Sequence, residues 1–264
     1  EMRERYGDER RTAVVKSSPR ELSDEDLIPD EEMVIVLTRG GYIKRVRPES
    51  WRVQKRGGKG LIGMETKEED VVEHLLSCRT HQTLIFFTSA GKVFQVPAYE
   101  VPEGTRIAKG KPLVGFLALA PAERVTSILA VRRSNKKSNE PAEFAVMLTR
   151  HGIIKRVEAR AFENVRKNGL IAMTLKSDDV LGFARRTDGR SDLVLVTRQG
   201  QSIRFSERDV RAMGRQAAGV QAVRLKKGDE VVGMDVIPSS KFSRHEVGIP
   251  TSLSKNQDGA SGQS

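Results

Sequence analysis

The stretch VIVLTRGGYIKRV, residues 34–46, sets the reading of the whole chain. An apolar run ends in Thr38, two residues intervene, Gly41 follows, and a second short run carries Lys44 and Arg45. A three-residue link between two β-forming runs asks for a positive φ near its end, which glycine adopts at little cost, so the stretch predicts a tight hairpin. The run VIVL puts apolar side chains on both faces, as in a strand covered from both sides rather than one with a wet face.

The pattern returns three times, as LIFFTSAGKVFQV (84–96), VMLTRHGIIKRV (146–157) and VLVTRQGQSIRF (194–205). The aligned glycines Gly41, Gly91, Gly152 and Gly200 are separated by 50, 61 and 48 residues, and the polar insert RRSNKKSNEPAE ahead of Phe144 accounts for the long interval. A second set keeps step. Gly60, Gly110 and Gly219 lie 22 residues after their repeat threonine, and Gly169 lies 20 after its own. Each repeat then closes on another apolar run: VVEHLLSC, VTSILAVR, VLGFARR or VVGMDVI.

Short strands at a period near 50, with weak helical periodicity, predict an all-β, propeller-like array of four-stranded blades. The blades span about 33–80, 81–133, 143–188 and 191–237, giving a β domain over residues 33–237. Residues 1–32 read as a helix end, stopped by Gly7 and Asp8, and an acidic connector. Residues 238–264 hold few apolar side chains and no repeat register, which reads as disorder.

Composition narrows the partner. The 264 residues carry a formal charge of +11 and a pI near 9.9, which favours a polyanion, nucleic acid before membrane. The sequence has no run of about 18 apolar residues and no signal-peptide pattern, so a soluble, cytoplasmic protein is expected. The lone Cys78 sits in an apolar run and reads as core, and His74, His81, His151 and His245 lack metal-ligand spacing, so no metal site is expected.

The loop of the first repeat holds QKRGGKG: Gln54, Lys55, Arg56, Gly57, Gly58, Lys59 and Gly60. Three cations among three glycines, with no acid, suit the close approach of a polyanion. The later loops RIAKGKP (106–112), RKNGL (166–170) and RQAAGV (215–220) keep the glycine and a cation without the full motif. Equivalent positions of stacked repeats fall on one rim, so Arg39, Lys44, Arg45, Arg106, Lys109, Lys155, Arg156, Arg166, Lys167, Arg204 and Arg215 are expected to form a basic stripe there. Trp51, just ahead of the glycine-rich loop, is expected to anchor that loop to its blade.

These repeats, their spacing and QKRGGKG together resemble the C-terminal domain of the DNA gyrase A protein, whose gyrase A box the seven residues match. The leading Tyr6, Gly7, Asp8, Arg10, Arg11 and Thr12 are similar to the exit from that protein's breakage-reunion core. The resemblance implies a β-pinwheel, in which neighbouring blades exchange strands and DNA is wrapped about a basic rim. It implies a gyrase A homodimer within an A2B2 heterotetramer with gyrase B, which uses ATP and Mg2+ elsewhere in the complete enzyme to introduce negative supercoils. It implies six blades, of which four are legible here. No catalytic residue and no cofactor site is expected in this chain: GGKGLIG lacks the upstream glycine and the Ser or Thr of a phosphate loop. The alternatives are the equivalent domain of topoisomerase IV, which usually lacks an intact box, and a propeller that binds proteins, which would favour an apolar or mixed rim.

Overall fold

A strand that is apolar on both faces must be covered on both, and the chain meets this need by standing its sheets side by side. The computed structural model describes residues 2–7, 27–51, 70–132, 143–163, 165–166 and 168–238. The first blade holds β1 (Glu32–Thr38), β2 (Tyr42–Val46) and β3 (Val72–Arg79). The second holds β4 (Thr83–Thr88), β5 (Lys92–Pro97) and β7 (Val125–Val131), with β6 (Lys111–Pro112) in the loop between β5 and β7. The third holds β8 (Phe144–Thr149), β9 (Ile153–Glu158) and β11 (Leu181–Thr187), with β10 (Leu170–Ile171) in the corresponding loop. The fourth holds β12 (Asp192–Thr197), β13 (Ser202–Ser206) and β15 (Val231–Ile237), with β14 (Val220–Gln221) in its loop. The helix end is present at Met2–Tyr6. The fold is all-β, as the repeats predict.

The short strand after each loop does not join its own blade. The sheet orders are β3-β1-β2-β6, β7-β4-β5-β10 and β11-β8-β9-β14, so each of these sheets takes its fourth strand from the next repeat. Pro112 pairs with Tyr42, Leu170 with Val93 and Val220 with Ile154. Among the described residues the fourth sheet has three strands, β13-β12-β15.

Alternate residues of each buried strand feed two cores. In β4, wholly buried, Leu84 and Phe86 pack with Ile35, Leu37 and Ile128, while Ile85 and Phe87 pack with Ala145, Met147 and Phe162. Val146 and Leu148 turn to Leu193, Leu195 and Met234. Each fully buried Leu, Ile or Phe contributes roughly 1.5–3 kcal/mol, and these three interfaces hold the array together. Cys78 lies in the first core, as expected, and burial pushes its thiol up to about 11. Trp51 packs against Val36 and Val46 of the first blade, and the loop that it is expected to anchor lies outside the described residues.

Two glycine sets position the exchange. Gly41, Gly91, Gly152 and Gly200 all have φ between 71° and 83°, confirming the hairpin register. The loop glycines Gly110, Gly169 and Gly219 also lie in the left-handed region, immediately ahead of the donated strands. A Cβ on Gly110 would meet the Ile43 carbonyl oxygen at 2.6 Å, and one on Gly219 would meet that of Ile154 at 2.6 Å. At these places the incoming chain presses directly on the receiving strand.

Candidate nucleic-acid interface

Of the five cations expected on the rim just after the turns, Lys44, Arg45, Lys155 and Arg156 lie inside the exchange instead, and Arg204 stays exposed. Lys44 and Lys155, read from sequence as rim contacts, are 0% exposed. Lys44 Nζ donates to the carbonyl oxygens of Thr105 at 3.2 Å, Arg106 at 2.5 Å and Ala108 at 2.7 Å, all in the loop arriving from the second repeat. Lys155 Nζ donates to the carbonyl of Ala172 at 2.7 Å and to that of Arg215 in the fourth repeat's loop. The reason is geometric. A side chain six residues after the repeat threonine points under the incoming loop, whose carbonyls have no strand partner there and accept from the ammonium. Burial, with Arg106 nearby, lowers the Lys44 pKa, and burial brings Lys155 down to about 8.

Arg45 and Arg156, one residue on, are also largely withdrawn from solvent. Their side chains are 17% and 12% exposed. Arg45 lies 3.7 Å from Glu103, and its backbone N–H donates to the Pro102 carbonyl of the incoming loop. Arg156 stacks on the Phe144 ring and lies 3.7 Å from Glu207, a fully buried carboxylate that also accepts from Thr187 Oγ1 at 2.6 Å and the Ser191 N–H at 2.7 Å. In the second repeat the position is Gln95, whose Oε1 accepts from the Val165 N–H. The seventh residue after the repeat threonine therefore binds protein in each of these three repeats, whichever type it is.

Exposed and part-exposed cations recur in the exchange segments, from each 3-10 turn to the first residue of the donated strand. In the second repeat these are the part-exposed Arg106 and Lys109, the latter 4.3 Å above the Tyr42 ring, and the exposed Lys111. The third contributes exposed Arg160 and Arg166, and the fourth exposed Arg208 and Arg211 with part-exposed Arg215. Arg39 is exposed at the first hairpin turn, while Arg204, 61% exposed, is ion-paired with Asp192 at 2.6 Å. Gln54 to Gly60 and Lys167 lie outside the described residues. The exchange brings together Lys44, Arg106 and Lys109 at one junction and Lys155 and Arg215 at another.

Two features escape the sequence reading. The first is an acid just ahead of each closing strand that holds the hairpin turn: Asp70 accepts from the Gly40 N–H, Asp179 from the His151 N–H, Asp229 from the Gln199 N–H, and Glu123 from Thr88 Oγ1. Desolvation raises the Asp229 carboxyl, but hydrogen bonds from Thr197, Gln199 and Glu230 outweigh it and leave its pKa below the usual value. The recurring acid in EEDVV, AERVT, SDDVL and GDEVV was the available signal. The second is the register of the loop arginines. Arg106 and Arg215 each lie 18 residues after their repeat threonine, as Arg56 does in the glycine-rich loop of the first repeat.

Four segments of the chain, residues 32–79, 82–132, 143–187 and 191–238, match the model of the DNA gyrase C-terminal domain, a β-propeller. The chain belongs to this family. It is 42% identical over 251 residues to the DNA gyrase A protein of Staphylococcus epidermidis, and 41% identical over 236 residues to that of Staphylococcus aureus strain MRSA252. These alignments cover 95% and 89% of the chain but only 27% and 26% of the relatives, so the chain spans about a quarter of their length. Among solved structures it resembles a gyrase A C-terminal domain with a TM-score of 0.61 at 26% identity, covering 77% of this chain and 64% of that one. It also resembles a topoisomerase IV C-terminal domain with a TM-score of 0.64 at 26% identity, covering 80% and 63%. Gyrase A relatives above 40% identity favour the gyrase reading over topoisomerase IV.

Proposed function

We propose that this member of the gyrase A C-terminal family binds duplex DNA without sequence preference and bends it around the cationic exchange loops. The observation that carries the reading is the recurrence of those segments: Arg106, Lys109 and Lys111, then Arg160 and Arg166, then Arg208, Arg211 and Arg215, each set running up to or onto the start of a donated strand. The gyrase A box occupies the same interval of the first repeat. Duplex DNA is stiff over about 150 base pairs, so tight bending costs several kcal/mol and needs many phosphate contacts spaced along a curve. Cations at blade spacing provide them, and contacts to phosphates carry no direct sequence information.

The chain then acts as the wrapping module of a gyrase A homodimer, joined with gyrase B in an ATP- and Mg2+-dependent A2B2 supercoiling enzyme whose reaction centres lie elsewhere. The intact QKRGGKG favours gyrase over topoisomerase IV. Titration of the chain with linear duplexes of unrelated sequence, at several salt concentrations, tests the binding. Log affinity is expected to fall with log salt by about 0.9 per phosphate neutralised. A flat salt response, or strong preference for one duplex, would overturn the reading.

A further inference from the structure

We infer that Lys44 and Lys155 are positioning residues for DNA: each fixes the arginine-bearing loop of the next repeat through its backbone carbonyls, and neither touches the duplex. The inference rests on the DNA-binding reading above. Both lysines occupy the sixth position after their repeat threonine and are fully buried. The carbonyl each one holds belongs to an arginine in the same register, Arg106 at one junction and Arg215 at the other. At the first junction, acceptors at residues 105, 106 and 108 converge on one ammonium, which pins the loop backbone around Arg106.

The second repeat supplies a contrast within the same molecule. Its sixth position is Phe94, and the loop it receives is two residues shorter, with Gly169 20 rather than 22 residues after its threonine. A Cβ on Gly169 would stand 2.8 Å from the Phe94 ring, so the short loop lies directly against an apolar floor. A longer loop without regular structure would otherwise lose conformational freedom when it meets DNA, and that loss lowers affinity. An ammonium beneath the loop arranges its backbone before DNA arrives. The arginine at the centre of that backbone then meets phosphate from a preset position.

The test uses the whole chain with Lys44→Met, Arg106→Ala and the double variant, measured by duplex titration and by amide hydrogen exchange. Lys44→Met is expected to weaken DNA binding several-fold, comparably to Arg106→Ala, and the double variant to match the weaker single variant within about twofold because both changes act through one contact. Exchange is expected to quicken at residues 104–110 and to stay unchanged at 211–219. Should Lys44→Met fail to fold, Lys44→Arg keeps the charge without the ammonium's donor geometry and runs the same comparison. Unchanged DNA affinity in a variant whose loop exchanges faster would overturn the positioning role, as would losses that multiply in the double variant. If the unaltered chain does not bind duplex DNA, the functional reading and the positioning role both fall, while exchange at 104–110 still reports separately whether Lys44 anchors the loop.

Discussion

The carbonyl oxygen of Met173 lies 2.5 Å from the point where a Cβ on Gly91 would stand. Met173 follows the donated strand β10, and its N–H and that of Ala172 both donate to the Gly91 carbonyl, so the hairpin turn of one blade is also the landing point of the next repeat. Gly152 has the same relation to Val223, whose Cγ1 would meet a new Cβ at 2.7 Å. Gly41 and Gly200 have open space at that point. All four require a positive φ, so alanine is expected to cost about 1 kcal/mol at each. At Gly91 and Gly152 the steric contact adds to this, and denaturation midpoints should fall distinctly further there than at Gly41 and Gly200. Equal losses at all four would show that strand exchange places no demand on the turn.

Glu207 is the most deeply placed carboxylate of the third junction. It accepts hydrogen bonds from Thr187 and Ser191 and faces Arg156 across 3.7 Å. Glu207→Ala would leave a largely buried guanidinium without its counter-charge and an unpaired N–H, a loss of roughly 3–5 kcal/mol. Glu207→Gln keeps a carbonyl acceptor and should cost less. Urea unfolding of the two variants, compared with the parent, checks both size and order.

Lys155 gives a pH dependence whose sign follows from its burial. Its folded pKa, about 8, lies below the ordinary lysine value of 10.5 that it regains on unfolding. Between those values the unfolded chain binds more protons than the folded one, so the contribution of this residue to stability rises as pH increases from about 8 to about 10.5. Lys155→Met removes that contribution. The difference in denaturation midpoint between the parent and Lys155→Met, followed over this range, should shift with pH in favour of the parent; a constant difference would mean that the ammonium titrates normally.

The cations are expected to differ in their effect on DNA. Arg106→Ala and Arg215→Ala should each flatten the salt slope by about 0.9, one phosphate contact. Arg204→Ala removes a charge already paired with Asp192 and should change the slope little. Slopes from titrations at four or more salt concentrations separate these outcomes.

Alanine at Gln54 to Gly60, in a complete enzyme carrying this domain, should abolish most negative supercoiling while ATP-independent relaxation and DNA cleavage persist. Only three of many charges are lost, so duplex affinity should fall modestly. Topoisomer analysis beside a binding titration reads both, and retained supercoiling would remove the role assigned to this loop.

The repeat of Thr-x-x-Gly between apolar runs was enough to establish an all-β array, its hairpin register and the four blade positions, because hairpin turns and doubly covered strands are local properties of φ preference and side-chain type. The basic loops were equally legible, since a cation in a glycine-bearing turn is a local signal. Sequence could not show which sheet each donated strand would enter. From residue type alone Lys44, Lys155, Arg45 and Arg156 are surface cations, and only the exchange, which carries a loop from one repeat over the strand of another, converts them into interior donors. Phe94 and Lys44 share a repeat position yet receive loops of different length, a distinction that has meaning only once the neighbouring chain lies above them. The sequence by itself determined the blades and the charge of their loops; the tertiary structure decided which charges face solvent, because burial depends on what another repeat places on top.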